Sequence, residues 1–157
     1  MATPDVFPFA SIGDSGAYPD WIRSLKGRNG VYFIRENRSG AVVYIGESHS
    51  GRLYATLTRH FQRWSNKYKT AGATYDRDDI EVAVILVPQT HAAYLQNELI
   101  CQFSPRDNRL ICDEIFEYED EEHSRDPPRG YDYDLDLLIE GVFYQFEDAP
   151  EDDDLPF

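Results

Sequence analysis

Two tyrosines, an arginine, a histidine and a glutamate stand in this chain in types and spacings that could act on a phosphate ester. Tyr32 and Tyr44 lie on successive apolar segments and offer a phenolic acid/base pair. Arg52 offers a guanidinium for phosphate oxygens, and His60 follows it by two helical turns. Glu98 is a lone carboxylate inside an otherwise apolar segment. Such a group is costly to bury without a partner, so a ligand role for it is the natural reading. A single carboxylate is enough for magnesium, which keeps most of its waters and takes few protein ligands. If they converge, these groups form a kit for hydrolysing a phosphodiester.

The elements that must position them are legible from the local pattern. Val31-Tyr32-Phe33-Ile34 and Ala41-Val42-Val43-Tyr44-Ile45 are β-branched and aromatic, and Glu36-Asn37-Arg38-Ser39-Gly40 between them is turn chemistry, which predicts a hairpin. Residues 51–66 read as a helix capped by Ser48 or Ser50. Leu53, Leu57, Phe61 and Trp64 form its buried stripe, and Arg52, Thr56 and His60 share another face. Ile80–Val87 reads as a third strand, stopped by Pro88. Thr90 caps a second helix over about 91–103, with Leu95, Leu99 and Phe103 inward. The order β-β-α-β-α predicts an α+β domain with a small, mainly antiparallel three-stranded sheet flanked by helices. Residues 1–19 read as an irregular N-terminal arm, 20–112 as the folded domain, 113–134 as an acidic linker, 135–147 as an apolar segment that docks on the domain, and 148–157 as an acidic tail.

The formal charge of −14 over 157 residues argues at first against a nucleic-acid partner. The charge is unevenly placed. Residues 1–112 hold 13 basic and 11 acidic residues, a net of +2, while 113–157 hold 2 and 18, a net of −16. Residues 20–69 alone carry ten basic side chains against Asp20, Glu36 and Glu47. Such asymmetry separates a basic body from an interaction tail. No apolar run is long enough to span a bilayer, and the first residues lack a basic and apolar leader. Cys101 and Cys112 form no CxxC pair, so no disulfide framework or zinc site is expected and both read as small buried hydrophobes. The expected compartment is the reducing cytoplasm.

Gly30-Val31-Tyr32 followed by Tyr44-Ile45-Gly46 resembles the paired signature of the GIY-YIG endonucleases. The resemblance continues through Arg52-Leu53, His60-Phe61 and Glu98-Leu99-Ile100 to Pro105 and Asn108, over about residues 28–112. It implies a DNA endonuclease using one divalent ion, Mg²⁺ or Mn²⁺. Tyr32 would be the general base, Tyr44 would orient water or phosphate, Arg52 would stabilise the transition state, Glu98 would hold the metal and Asn108 would brace the site. Four positions beyond Arg52, where the family has His or Tyr, stands Thr56, and His60 lies one turn further. The link from Tyr44 to Arg52 is short, and His49 within it could contact phosphate. A catalytically weak DNA-binding or interaction module of the same fold, or an inhibitor acting through the acidic tail, is the rival reading.

Glu151 and Asp152-Asp153-Asp154-Leu155-Pro156-Phe157 resemble the acidic tip of bacterial single-stranded DNA-binding proteins. The resemblance implies docking on replication or repair proteins that receive such a tip. Phe157 would fill an apolar pocket, its carboxylate would pair with a basic residue, and the acids would steer the approach.

Overall fold

The computed structural model describes residues 4–62, 74–108 and 126–144, with two short paired strands at 64–65 and 70–71. Its centre is an antiparallel sheet of four strands. These are β1 (Asp5–Ala10), β2 (Gly30–Glu36), β3 (Val42–Ser48) and β6 (Ile80–Leu86), in the order β1-β6-β2-β3. Strands β4 (Trp64–Ser65) and β5 (Thr70–Ala71) pair apart from it.

The two-residue period of a strand divides the apolar side chains between two cores. Val31, Phe33, Ile45, Ala83 and Ile85 face one side. There α3 (Ala92–Phe103) contributes Ala92, Leu95 and Leu99, and α4 (Leu135–Val142) contributes Leu138 and Val142. Tyr32, Ile34, Val82, Val84 and Leu86 face the other. There α1 (Asp20–Arg23) contributes Ile22, and α2 (Leu53–Thr58) contributes Leu53 and Leu57. The central strands β2 and β6 are therefore apolar on both faces, as a sheet covered on both sides requires.

The fold class is α+β, but the sheet has four strands rather than three. The extra strand is β1, taken from residues read as an irregular arm. Pro8 obscures it, because proline lacks the ladder donor and survives mainly on edge strands, which is where β1 lies. Phe9 is buried in one core and Phe7 packs against the other.

The helix expected over 51–66 is also shorter. It ends at Thr58, whose hydroxyl donates to the Tyr54 carbonyl 2.8 Å away, and a 3₁₀ turn follows at Arg59–Phe61. Neither Ser48 nor Ser50 caps it; Arg52 holds the cap position without a side-chain cap bond, and the Ser48 hydroxyl accepts from the Arg52 amide at 3.1 Å. Thr90 does not cap α3; His91 holds the cap position without a side-chain cap bond.

The apolar segment 135–147 contains α4, which packs against β1 and is capped by Asp134. Part of the expected linker is ordered as well. Tyr131 and Tyr133 pack on the first core, and buried His91 is bonded to the Tyr133 hydroxyl and the Arg129 carbonyl. The carbonyl fixes Nε2 as the donor, which leaves Nδ1 to accept from the phenol of Tyr133. Cys101 is disulfide-bonded, not a free buried thiol. Residues 109–125 and 145–157, including Asp152, Asp153, Asp154, Leu155, Pro156 and Phe157, lie outside the described residues.

Candidate active site

Tyr32 is placed by two glycines. A Cβ on Gly30 would lie 2.2 Å from the Ile85 carbonyl oxygen, so only glycine lets β2 start this close to β6. Gly46 stands opposite Tyr32 in the β2–β3 register. A Cβ there would lie 2.3 Å from the Tyr32 hydroxyl and 2.4 Å from its Cζ. The missing side chain is the space the phenol occupies.

The Tyr32 hydroxyl lies 2.9 Å from His60 Nε2. The His60 ring is 4.7 Å from that of Tyr44 and 5.9 Å from that of Tyr75, centre to centre, and the Tyr32 and Tyr44 rings are 6.0 Å apart. Three tyrosines thus surround one imidazole. The 3₁₀ turn holds it there, with the His60 carbonyl accepting from the Thr74 and Tyr75 amides at 2.8 and 3.1 Å. The Tyr75 hydroxyl donates to Asp107 Oδ2 at 2.7 Å.

Burial sets the protonation of this group. Tyr32 is 1% exposed, and burial first, then the neighbouring Tyr44 and Glu47, pushes its pKa far above that of a free phenol. Burial and the Arg59 charge push His60 below its usual 6.5. At neutral pH the pair is therefore a phenol donating to a neutral imidazole. Tyr75 is likewise held protonated, by burial and then by its bond to Asp107.

Asn108 braces the strand that carries Tyr44. Its side-chain oxygen accepts from the Ile45 amide at 2.9 Å, and its nitrogen donates to the Ile45 carbonyl at 2.8 Å. The Asp107 amide adds a bond to the Val43 carbonyl at 2.9 Å. Ser104, in the left-handed region at φ 46°, ends α3 and turns the chain so that this segment can run along β3, an edge of the sheet.

Arg52 is exposed at the start of α2, and its guanidinium makes no hydrogen bond or ion pair with the described residues. His49 is exposed and sits 3.1 Å from Glu47.

Glu98 is not brought together with the tyrosines. Its charge acts on Tyr94 and on the buried Tyr131 hydroxyl, both raised in pKa by burial first. Tyr131 packs in the first core, whereas Tyr32 belongs to the second. A metal ion on Glu98 therefore does not fit a water held at Tyr32. The carboxylate whose charge Tyr32 feels is that of Glu47. Elsewhere among the described residues, Asp76, Asp78 and Asp79 cluster on the surface.

Sequence reasoning missed Tyr75, Asp107 and Glu47. Tyr75 and Asp107 stand in polar stretches with no periodicity, and only tertiary folding brings them to His60 and β3. Comparison with family models, with curated proteins and with solved structures yields no match.

Proposed function

We propose that this chain is a phosphodiester hydrolase of the GIY-YIG type that cuts DNA. The observation that carries the reading is the hydrogen bond from buried Tyr32 to neutral His60, between Tyr44 and Tyr75. A phenol with so high a pKa is a poor base alone. Bonded to a neutral imidazole it can relay: it takes a proton from an attacking water as it passes its own to His60 Nε2. Tyr44 orients the water or the phosphate, and Arg52 meets the charge that builds on the phosphate oxygens. Glu98 takes no part in these steps. The acidic tip, in this reading, brings the enzyme to cytoplasmic replication or repair proteins. The disulfide at Cys101 is the feature that runs against a reducing compartment.

The place of Glu98 specifically favours the second reading, a module of the same fold that binds DNA without cutting it. The test is plasmid cleavage by the full chain, with and without Mg²⁺ or Mn²⁺, beside Tyr32→Phe, Glu47→Gln and Glu98→Gln. Tyr32→Phe should lose activity by about 10²-fold or more, the usual worth of a positioned acid/base. Glu47→Gln should be impaired, and Glu98→Gln should cut almost normally. Equal cleavage by wild type and Tyr32→Phe overturns the proposed chemistry. A wild type that binds DNA but never cuts it establishes the second reading.

A further inference from the structure

The Gly27–Gly30 segment, which leads into the strand of Tyr32, is tied to the start of α2. The Asn29 side-chain oxygen accepts from the Gly51 amide at 2.7 Å, and the Arg28 carbonyl accepts from the Leu53 amide at 3.3 Å. Arg28 and Arg52 are thereby fixed on adjoining backbone, both exposed and neither paired with a described carboxylate.

Arg28 also lines a cleft of about 480 Å³ between this segment, the end of β6, the start of β1 and the turn at Gly130–Tyr133. The volume lies within the usual range of small-ligand sites. Of its polar wall, His91 is already bonded at both ring nitrogens. The guanidinium of Arg28 and the carboxylate of Asp5 make no bond to described residues, and the Asn29 amide nitrogen is not used by its bond to Gly51. A cation with an acceptor and an amide donor beside it suits an occupant with both an anionic group and a base edge, more than a bare anion.

We propose that this cleft, at the end of the sheet, receives a nucleotide of the DNA strand that continues past that end from the Tyr32 site, with Arg28 on its phosphate and Asp5 and Asn29 on its base. The inference rests on the hydrolase reading for the identity of the strand. Tyr32 lies four positions after Arg28, so the two Cα atoms stand no more than about 14 Å apart. That is about four stacked nucleotides, and fewer if the strand is extended.

The test is binding of a fluorescein-labelled single-stranded 12-mer by the full chain in the Tyr32→Phe background, followed by anisotropy over a salt series. Adding Arg28→Ala should raise Kd about tenfold at low salt. It should also reduce the steepness of the log Kd against log salt plot by about 0.7, the loss of one single-strand phosphate contact. Arg38→Ala removes the same charge from the β2–β3 turn at the far end of the sheet and should change neither. Thymidine 5′-monophosphate at equal concentration should compete far more weakly than unlabelled strand.

Three outcomes overturn the proposal: unchanged affinity and slope in Arg28→Ala, equal losses in Arg28→Ala and Arg38→Ala, or a free nucleotide that competes as well as the strand. None depends on cleavage, so a failed hydrolase reading shows only in the comparison of wild type with Tyr32→Phe.

Discussion

At the scale of single residues, the decisive pair is Tyr32 and His60. Burial lowers the pKa of His60 from 6.5, and Arg59 lowers it further, so the imidazole stays neutral and able to accept a proton below pH 6.5. The acid limb of kcat/KM should therefore fall below pH 6.5. His60→Gln should lower the rate and remove that limb. The same shift affects stability with a definite sign. Between the folded and unfolded pKa values the unfolded chain binds the extra proton. The contribution of His60 is thus fully present above pH 6.5 and is lost as pH falls through the folded value. Urea midpoints between pH 7 and pH 5 should drop further for wild type than for His60→Gln. Residue types and spacing pointed to Tyr32, Tyr44 and His60, which the fold brings into one cluster, and to Arg52, which stands exposed at the start of α2. Glu98 shows where that reasoning stops. Glu98 is only half-buried, and the tyrosine that feels its charge, Tyr131, comes from beyond the acidic segment, where no local spacing reveals it.

At the scale of elements, β3 is an edge strand, paired with β2 on one side and braced on the other by a side chain. Asn108 supplies Ile45 with both halves of a strand pairing. Asn108→Ala leaves an amide and a carbonyl beside Tyr44 without their partner. Each net bond is worth about 1 kcal/mol, so the variant should lose roughly 2 kcal/mol of unfolding free energy in urea titration. It should lose cleavage as well, since Tyr44 and Gly46 flank the loosened residue. Asn108→Asp keeps the acceptor and loses the donor, and should fall between the two. Hairpin and helix positions were legible because strand and helix periods are local properties. Strand β1 was hidden by Pro8, and the early end of α2 by Thr58, whose back-bond to Tyr54 gives the sequence no change of period. That early end matters, because His60 meets Tyr32 from a 3₁₀ turn held by Thr74 and Tyr75, not from the helical face its spacing suggested.

At the scale of the whole molecule, charge divides the chain more sharply than structure does. The part with the candidate site is +2 and the part after residue 112 is −16. The acidic part is not wholly detached. Through Tyr131, Tyr133 and α4 it is fastened to the core, so the acids at 147–157 start from a fixed anchor at α4. Acids brought within a Debye length of Arg28, Arg52 and Arg59, about 10 Å at 0.1 M salt, would compete with DNA for them. Ending the chain at residue 144 removes six acids and no base, which takes the net charge from −14 to −8. The shortened chain should bind a DNA strand several-fold more tightly at 50 mM salt, and the advantage should vanish near 0.5 M as screening shortens the range of the tail. Removing Phe157 alone leaves every acidic side chain in place and should change strand binding at neither salt. A gain that persists at high salt would mean that the tail blocks the site by contact, not by charge. Equal affinity of both chains at low salt would leave the tail with no role in DNA binding, and partner docking as its remaining task.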